Sequence, residues 1–106
     1  MPFDQFKPDK NTIVSNWGII NKDSSDAVML EIDGFHGSFV NSRSRKKYIL
    51  ISGELEFDVD GEKETFISPA YFEIKPNQKH SMFGKGAKIV CICEPPFDPA
   101  FEKVIN

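Results

Sequence analysis

One short segment constrains this chain more than any other. In Glu54-Leu55-Glu56-Phe57-Asp58-Val59-Asp60 the apolar residues 55, 57 and 59 alternate strictly with acids at 54, 56, 58 and 60. A period of two sends the two sets to opposite faces of a strand, so one face is dry and the other lies in water. That is the pattern of a half-buried antiparallel strand. Asp60-Gly61 follows at once, the dipeptide a two-residue type I′ turn requires because both central residues need positive φ. The chain therefore turns back, and Glu64 to Ile67 is the expected return strand.

The remainder reads the same way. Gly and Pro punctuate short β-rich stretches, and no stretch carries a helical apolar period. Strands are expected at Thr12–Ile20, at Val28–Ile32 (closed by Asp33-Gly34), at Phe35–Asn41 and at Lys47–Ser52. Ala70–Ile74, Ser81–Phe83 and Lys88–Cys93 continue the series, with Ser52-Gly53 expected at a hairpin. Pro95-Pro96-Phe97-Asp98-Pro99 does not fit a central strand. Asp98 before Pro99 reads as an N-cap and first helical position, so residues 99–104 are expected to form one closing helical turn. Many short strands without crossover helices imply an all-β sandwich or small antiparallel barrel.

Size and charge narrow the class. With 106 residues the chain is expected to be one domain, 1–106, with residues 1–11 as an N-terminal arm and 95–106 as a Pro-rich tail. A hydrophobic share of 40% against 27% charged is that of a globular chain. No apolar run approaches the roughly 18 residues of a membrane helix, and the opening MPFDQFKPDK lacks a signal peptide's apolar core. Neither a membrane nor nucleic acid is an expected partner, the latter because the net charge is −3. Cys91 and Cys93 lie two apart on one strand face, too far apart for a good disulfide. They are expected as small buried thiols, which suits a reducing cytoplasm.

Residues 39–94 resemble the cupin family, small β-barrels of the jelly-roll type. The segment Lys46 to Phe57 (KKYILISGELEF) is similar to that family's first motif, a strand, a Gly turn and an amphipathic strand ending in Asp-Gly. The segment Pro69 to His80 (PAYFEIKPNQKH) is similar to its second, in which a Pro turn precedes a His. The trailing Pro-rich segment looks like the tail of many single-domain cupins. The resemblance implies a jelly-roll barrel, and for metal-binding members two His and a Glu from the first motif with a His from the second.

That ligand pattern is not met. Counting back from Gly53, the Glu position holds Lys46, and the two His positions hold Ser42 and Val40, or Asn41 and Phe39 with the alternative spacing. Pro69-Ala70 stands for the usual Gly-Asp opening, and Asn77 for the turn Gly, a residue that tolerates the left-handed conformation. Only His80 matches. One imidazole does not hold a catalytic divalent ion, and an ammonium at the carboxylate position repels one. No metal and no cofactor are expected.

Parity groups the candidate site residues by face, and the resemblance implies which face looks into the barrel. His80 shares a strand face with Met82 and would look into the barrel, as acid/base or as a hydrogen-bonded interior residue. Lys46 shares parity with Tyr48, and its amine would either hold an anionic ligand group or snorkel outward. Arg43-Ser44-Arg45-Lys46-Lys47 is a phosphate or carboxylate clamp, or a solvated edge. Ser42, Arg45, Lys46, Tyr48 and Met82 are the candidate binding residues, and His80 the candidate catalytic one. A site of His36, His80 and Glu73 has no spacing rule behind it, and parity turns Glu73 outward. Phe3, Phe6, Phe97 and Phe101, with the doubly apolar stretch Tyr48–Ile51, point to a homodimer.

The resulting expectation is a small cupin-like protein binding a polar or anionic small molecule, carbohydrate-related by family analogy, without a catalytic metal. It would act as a metal-independent isomerase, epimerase or lyase. A non-catalytic binding or regulatory cupin and a metal-binding cupin with atypical ligands are the alternatives.

Overall fold

A computed structural model describes residues 4–21 and 25–105. Eight strands run in chain order: β1 Asp4–Asp9, β2 Thr12–Asn21, β3 Ser25–Asn41, β4 Arg45–Val59, β5 Glu62–Ile67, β6 Ala70–Ile74, β7 His80–Glu94 and β8 Glu102–Val104. All pair antiparallel, in the order β1-β2-β3-β7-β4-β5, with β6 also on β4 and β8 also on β3. The result is an all-β jelly roll: the short alternating strands implied the all-β class, and the family resemblance implied the jelly roll. The β4–β5 hairpin forms at its expected turn, where Asp60 and Gly61 both take positive φ, 52° and 89°.

Several expected strands are halves of longer ones. Val28–Ile32 and Phe35–Asn41 join in β3, and Ser81–Phe83 and Lys88–Cys93 in β7. Ser52-Gly53 is not a hairpin. β4 runs straight through it, and the register against β7 shifts on both sides of Ser52. Gly53 makes this bulge possible: its φ is +81°, and a Cβ there would lie 2.3 Å from the Gly86 carbonyl oxygen.

The bulges change which residues face inward. On β4 the buried positions are Lys46, Tyr48 and Leu50 before the bulge and Leu55 and Phe57 after it. On β7 they are His80 and Met82, then Ala87, Ile89, Cys91 and Cys93. Even parity thus becomes odd, and each strand bends so that both halves line one interior. Leu50, Leu55 and Ile89 are wholly buried at its centre.

The termini differ from the expected arm and helical turn. Asp4–Asp9 is a paired strand against β2. Asp98 caps as expected, its carboxylate accepting from the Ala100 amide at 2.9 Å. The helix is a single 3-10 turn, Pro99–Phe101, after which β8 pairs with Phe39–Asn41 of β3. The basic run clamps this tail. Arg43 donates to the Pro96 carbonyl at 2.8 Å and lies over the Phe101 ring, and Ser44 donates to the Pro95 carbonyl at 2.9 Å. Phe6, Phe97 and Phe101 are exposed as anticipated, while Phe3 lies outside the described residues. Among the described residues no helix is long and apolar enough to cross a membrane.

Candidate functional site

The inner faces of β3, β4 and β7, roofed by β1 and the tail, enclose a cavity of about 530 Å³. That size is typical of small-molecule sites. His80, Lys46, Tyr48 and Met82 all line it, as parity implied. Ser42 and Arg45 do not. Ser42 is exposed and hydrogen-bonds the Phe101 carbonyl at 3.3 Å. Arg45, an odd position on β4, points outward and pairs with Glu73 at 3.7 Å. Glu73 therefore stands outside the cavity that His36 and His80 share.

His80 sits on the first residue of β7 and is almost wholly buried. Its Nδ1 faces the Gln78 carbonyl at 3.1 Å, an acceptor only, so Nδ1 carries the proton and Nε2 holds a free lone pair. The Tyr48 hydroxyl lies 3.5 Å from that Nε2. Burial, with the Lys46 ammonium second, lowers the His80 pKa to about 4. His80 is thus a neutral acceptor at physiological pH. Burial holds the Tyr48 phenol protonated, its pKa well above the ordinary range, with the neighbouring Cys91 acting in the same direction.

His36 is held differently. Its Nδ1 lies 2.7 Å from Asp9 Oδ2 and 3.0 Å from the Thr12 hydroxyl. The carboxylate accepts the Nδ1 proton, which fixes the orientation of the ring and of its Nε2. Burial pushes the Asp9 pKa up, but hydrogen bonds from His36, the Asn11 amide and Thr12 outweigh it, and the net shift is downward. This is the carboxylate–imidazole pairing that orients general bases.

Lys46 is buried at the position where cupins with a metal place a carboxylate ligand. Its ammonium forms an ion pair with Glu102 of β8, and Nζ lies 5.7 Å from the centre of the Phe97 ring. Asp26 also lines the cavity, accepting from the Phe97 amide at 3.1 Å, and burial raises its pKa. Cys91 and Cys93 are free, buried and on the cavity face. The hydrogen bond between the two thiols, and then burial, push Cys93 far up, so it stays a thiol.

The interior donors do not fit a divalent ion. An ammonium paired with Glu102 occupies the carboxylate position. Among the described residues no three His, Cys, Asp or Glu side chains converge.

Sequence reasoning missed Glu102, Asp9 and Thr12, which sat in an expected helical turn, in the expected arm and at the edge of a strand. The one available signal was general: a buried Lys needs a carboxylate partner.

No family model and no curated protein matches this chain. Solved structures do. Streptomyces Pac13, a nucleoside dehydratase also solved with uridine, superposes with a TM-score of 0.89 at 21% identity, over 98% of this chain and 85% of that one. KdgF from Halomonas gives a TM-score of 0.78 at 16% identity, over 92% of both chains. An RmlC-like cupin from Shewanella frigidimarina gives 0.73 at 17%, over 93% and 88%. The chain has the cupin fold. Within that fold the Lys46–Glu102 and His36–Asp9 pairs stand where parts of this chain's own interior meet its tail and its first strand.

Proposed function

We propose that this cupin is a metal-independent acid–base enzyme acting on a small hydroxylated ligand of the nucleoside or sugar class, with His36 as the base. The observation that carries the reading is the Asp9–His36 pair, which holds His36 by Nδ1 and orients its second ring nitrogen on a residue lining an apolar-walled cavity. His80, its pKa lowered to about 4, is a poor proton acceptor at neutral pH and serves as a hydrogen-bond acceptor that orients the Tyr48 hydroxyl. The chemistry is proton removal from a carbon beside a carbonyl, a group that an aldose or ketose carries in its open form and that a nucleoside carries where its sugar is oxidised to the aldehyde or ketone. His36 Nε2 takes the proton, the C–H electron pair becomes the carbon–carbon double bond of the enolate, and the carbonyl π pair moves to the oxygen. The Lys46 ammonium, its charge balanced by Glu102, has N–H groups left to donate to the oxyanion as it forms. When a β-hydroxyl is present, the enolate collapses, the C–O bond breaks, and the His36 imidazolium hands its proton to the leaving oxygen. Water departs and the enzyme returns to its starting state. A nucleoside dehydratase among the structural neighbours supports this ligand class and reaction.

The test is incubation with a panel of nucleosides, aldoses and ketoses in deuterium oxide. Products and carbon-bound deuterium are followed by NMR and mass spectrometry. His36→Gln should abolish exchange and product while leaving ligand binding in place, and Asp9→Asn should slow turnover by about 10²-fold or more. Wild-type turnover in His36→Gln sinks the assignment. Saturable binding with no exchange by any panel member leaves a binding protein instead.

We also infer that the working unit is a homodimer, in a reducing compartment such as the cytoplasm. On the outer face of the sheet Met29, Val90, Ile49 and Tyr71 lie side by side across β3, β7, β4 and β6. Ile51 and Tyr71 are 48% and 54% exposed. Lys88–Glu31 flanks this strip on one side and Lys47–Glu94 on the other. With both charge signs at each edge the strip is self-complementary under a two-fold axis, as an isologous interface requires.

A further inference from the structure

The cavity's charge is settled by a residue from the tail. Lys46 is the only Lys or Arg among the described residues that line the cavity, and its ammonium is already paired with the Glu102 carboxylate. The pair is dry, with side-chain exposures of 8% and 17%. A second carboxyl, Asp26, faces the same space. The Asp9 carboxylate backs His36, and His80 is neutral. The sequence pattern pointed to Lys46 as an anchor for an anion. In the folded chain its charge is cancelled, and the carboxyl groups equal or outnumber the cations.

A phosphate brought into this space meets two carboxyl groups and no free cation. It loses its hydration without a compensating charge, which is costly in an apolar cavity. A ligand with hydroxyls and a flat uncharged ring meets the opposite situation. Its hydroxyls can donate to the carboxylates and accept from the ammonium, and its ring can lie against Phe39, Phe97 and Val28.

We propose that Glu102 is a specificity residue: by neutralising Lys46 it restricts the cavity to uncharged ligands, admitting a nucleoside and rejecting its 5′-monophosphate. This rests on the ligand class proposed above and deepens it. Glu102 acts through Lys46 as well as directly, and β8, a three-residue strand, places it beside Asn41 of β3.

The experiment measures the affinities of uridine and uridine 5′-monophosphate by calorimetry, for the wild type and two variants. Wild type should bind uridine at least about tenfold more tightly than the monophosphate. Glu102→Gln frees the Lys46 charge while keeping the shape, and should move the ratio by about tenfold or more toward the monophosphate. Lys46→Met combined with Glu102→Gln removes the freed charge and should reverse that gain, which separates charge from any loosening of the tail. Equal binding of the two ligands by wild type overturns the proposal, as does an unchanged ratio in Glu102→Gln. Binding of neither ligand by wild type overturns the nucleoside class itself. Loss of deuterium exchange with binding intact concerns only the catalytic role of His36.

Discussion

Acid should unfold this protein partly through His80, by an amount the structure fixes. An unfolded His titrates near 6.5, whereas burial and the Lys46 ammonium hold the folded one near 4. Between those values the unfolded chain binds a proton that the native state refuses, so native stability falls as pH drops through this window. The difference of about 2.5 pH units, at roughly 1.4 kcal/mol each, gives about 3 kcal/mol. Against the 5–15 kcal/mol of an ordinary domain this is a large share. Other groups titrate too, and the downward-shifted Asp9 contributes in the same direction. The clean quantity is therefore a difference between two proteins. His80→Gln keeps a donor for the Gln78 carbonyl but has no proton to gain. Urea unfolding of both, from about pH 7.5 to about pH 4, should show the wild type losing roughly 3 kcal/mol more than the variant. Parallel stability curves would refute the claim that His80 is held neutral by burial.

Two further outcomes test the frame around the site. Gly53→Ala forces a Cβ to 2.3 Å from the Gly86 oxygen at φ +81°, and should cost at least about 2 kcal/mol in urea denaturation. A cost within a few tenths of a kcal/mol would mean that the bulge relaxes freely. If the outer strip is the dimer face, sedimentation should give a dimer for wild type and a monomer for Tyr71→Asp combined with Ile51→Asp, and a monomeric wild type at micromolar concentration removes that interface.

What could be read from the residues was what local physics determines. The Glu54–Asp60 alternation and the Asp60-Gly61 turn specify a strand and its reversal within a few positions, and both appear as expected. Parity likewise placed Lys46, Tyr48, His80 and Met82 inside. It failed at Ser52-Gly53 because a bulge there moves the buried set from even to odd positions without ending the strand. A glycine marks a hairpin and a bulge equally well. Ser42 and Arg45 went astray for a related reason: they flank the inward positions, and their polar groups serve the tail and the outer face.

The partners that define the site were invisible because each is set by topology. Glu102 is 56 residues from Lys46, and Asp9 is 27 residues from His36. Burying an ammonium without a carboxylate is prohibitively unfavourable, so Lys46 facing inward already implied a partner somewhere. Only strand order says that β8 supplies it. The resemblance located the carboxylate position and found it reversed in sign, which read as a site for anions. Folding restores the carboxylate from the far end of the chain, beside the cation rather than in place of it. The barrel thus carries at that position a balanced pair where metal-binding cupins hold an ion against their ligands. For the proton transfer proposed above, a charge-balanced Lys46–Glu102 pair suits an uncharged ligand better than a charged one.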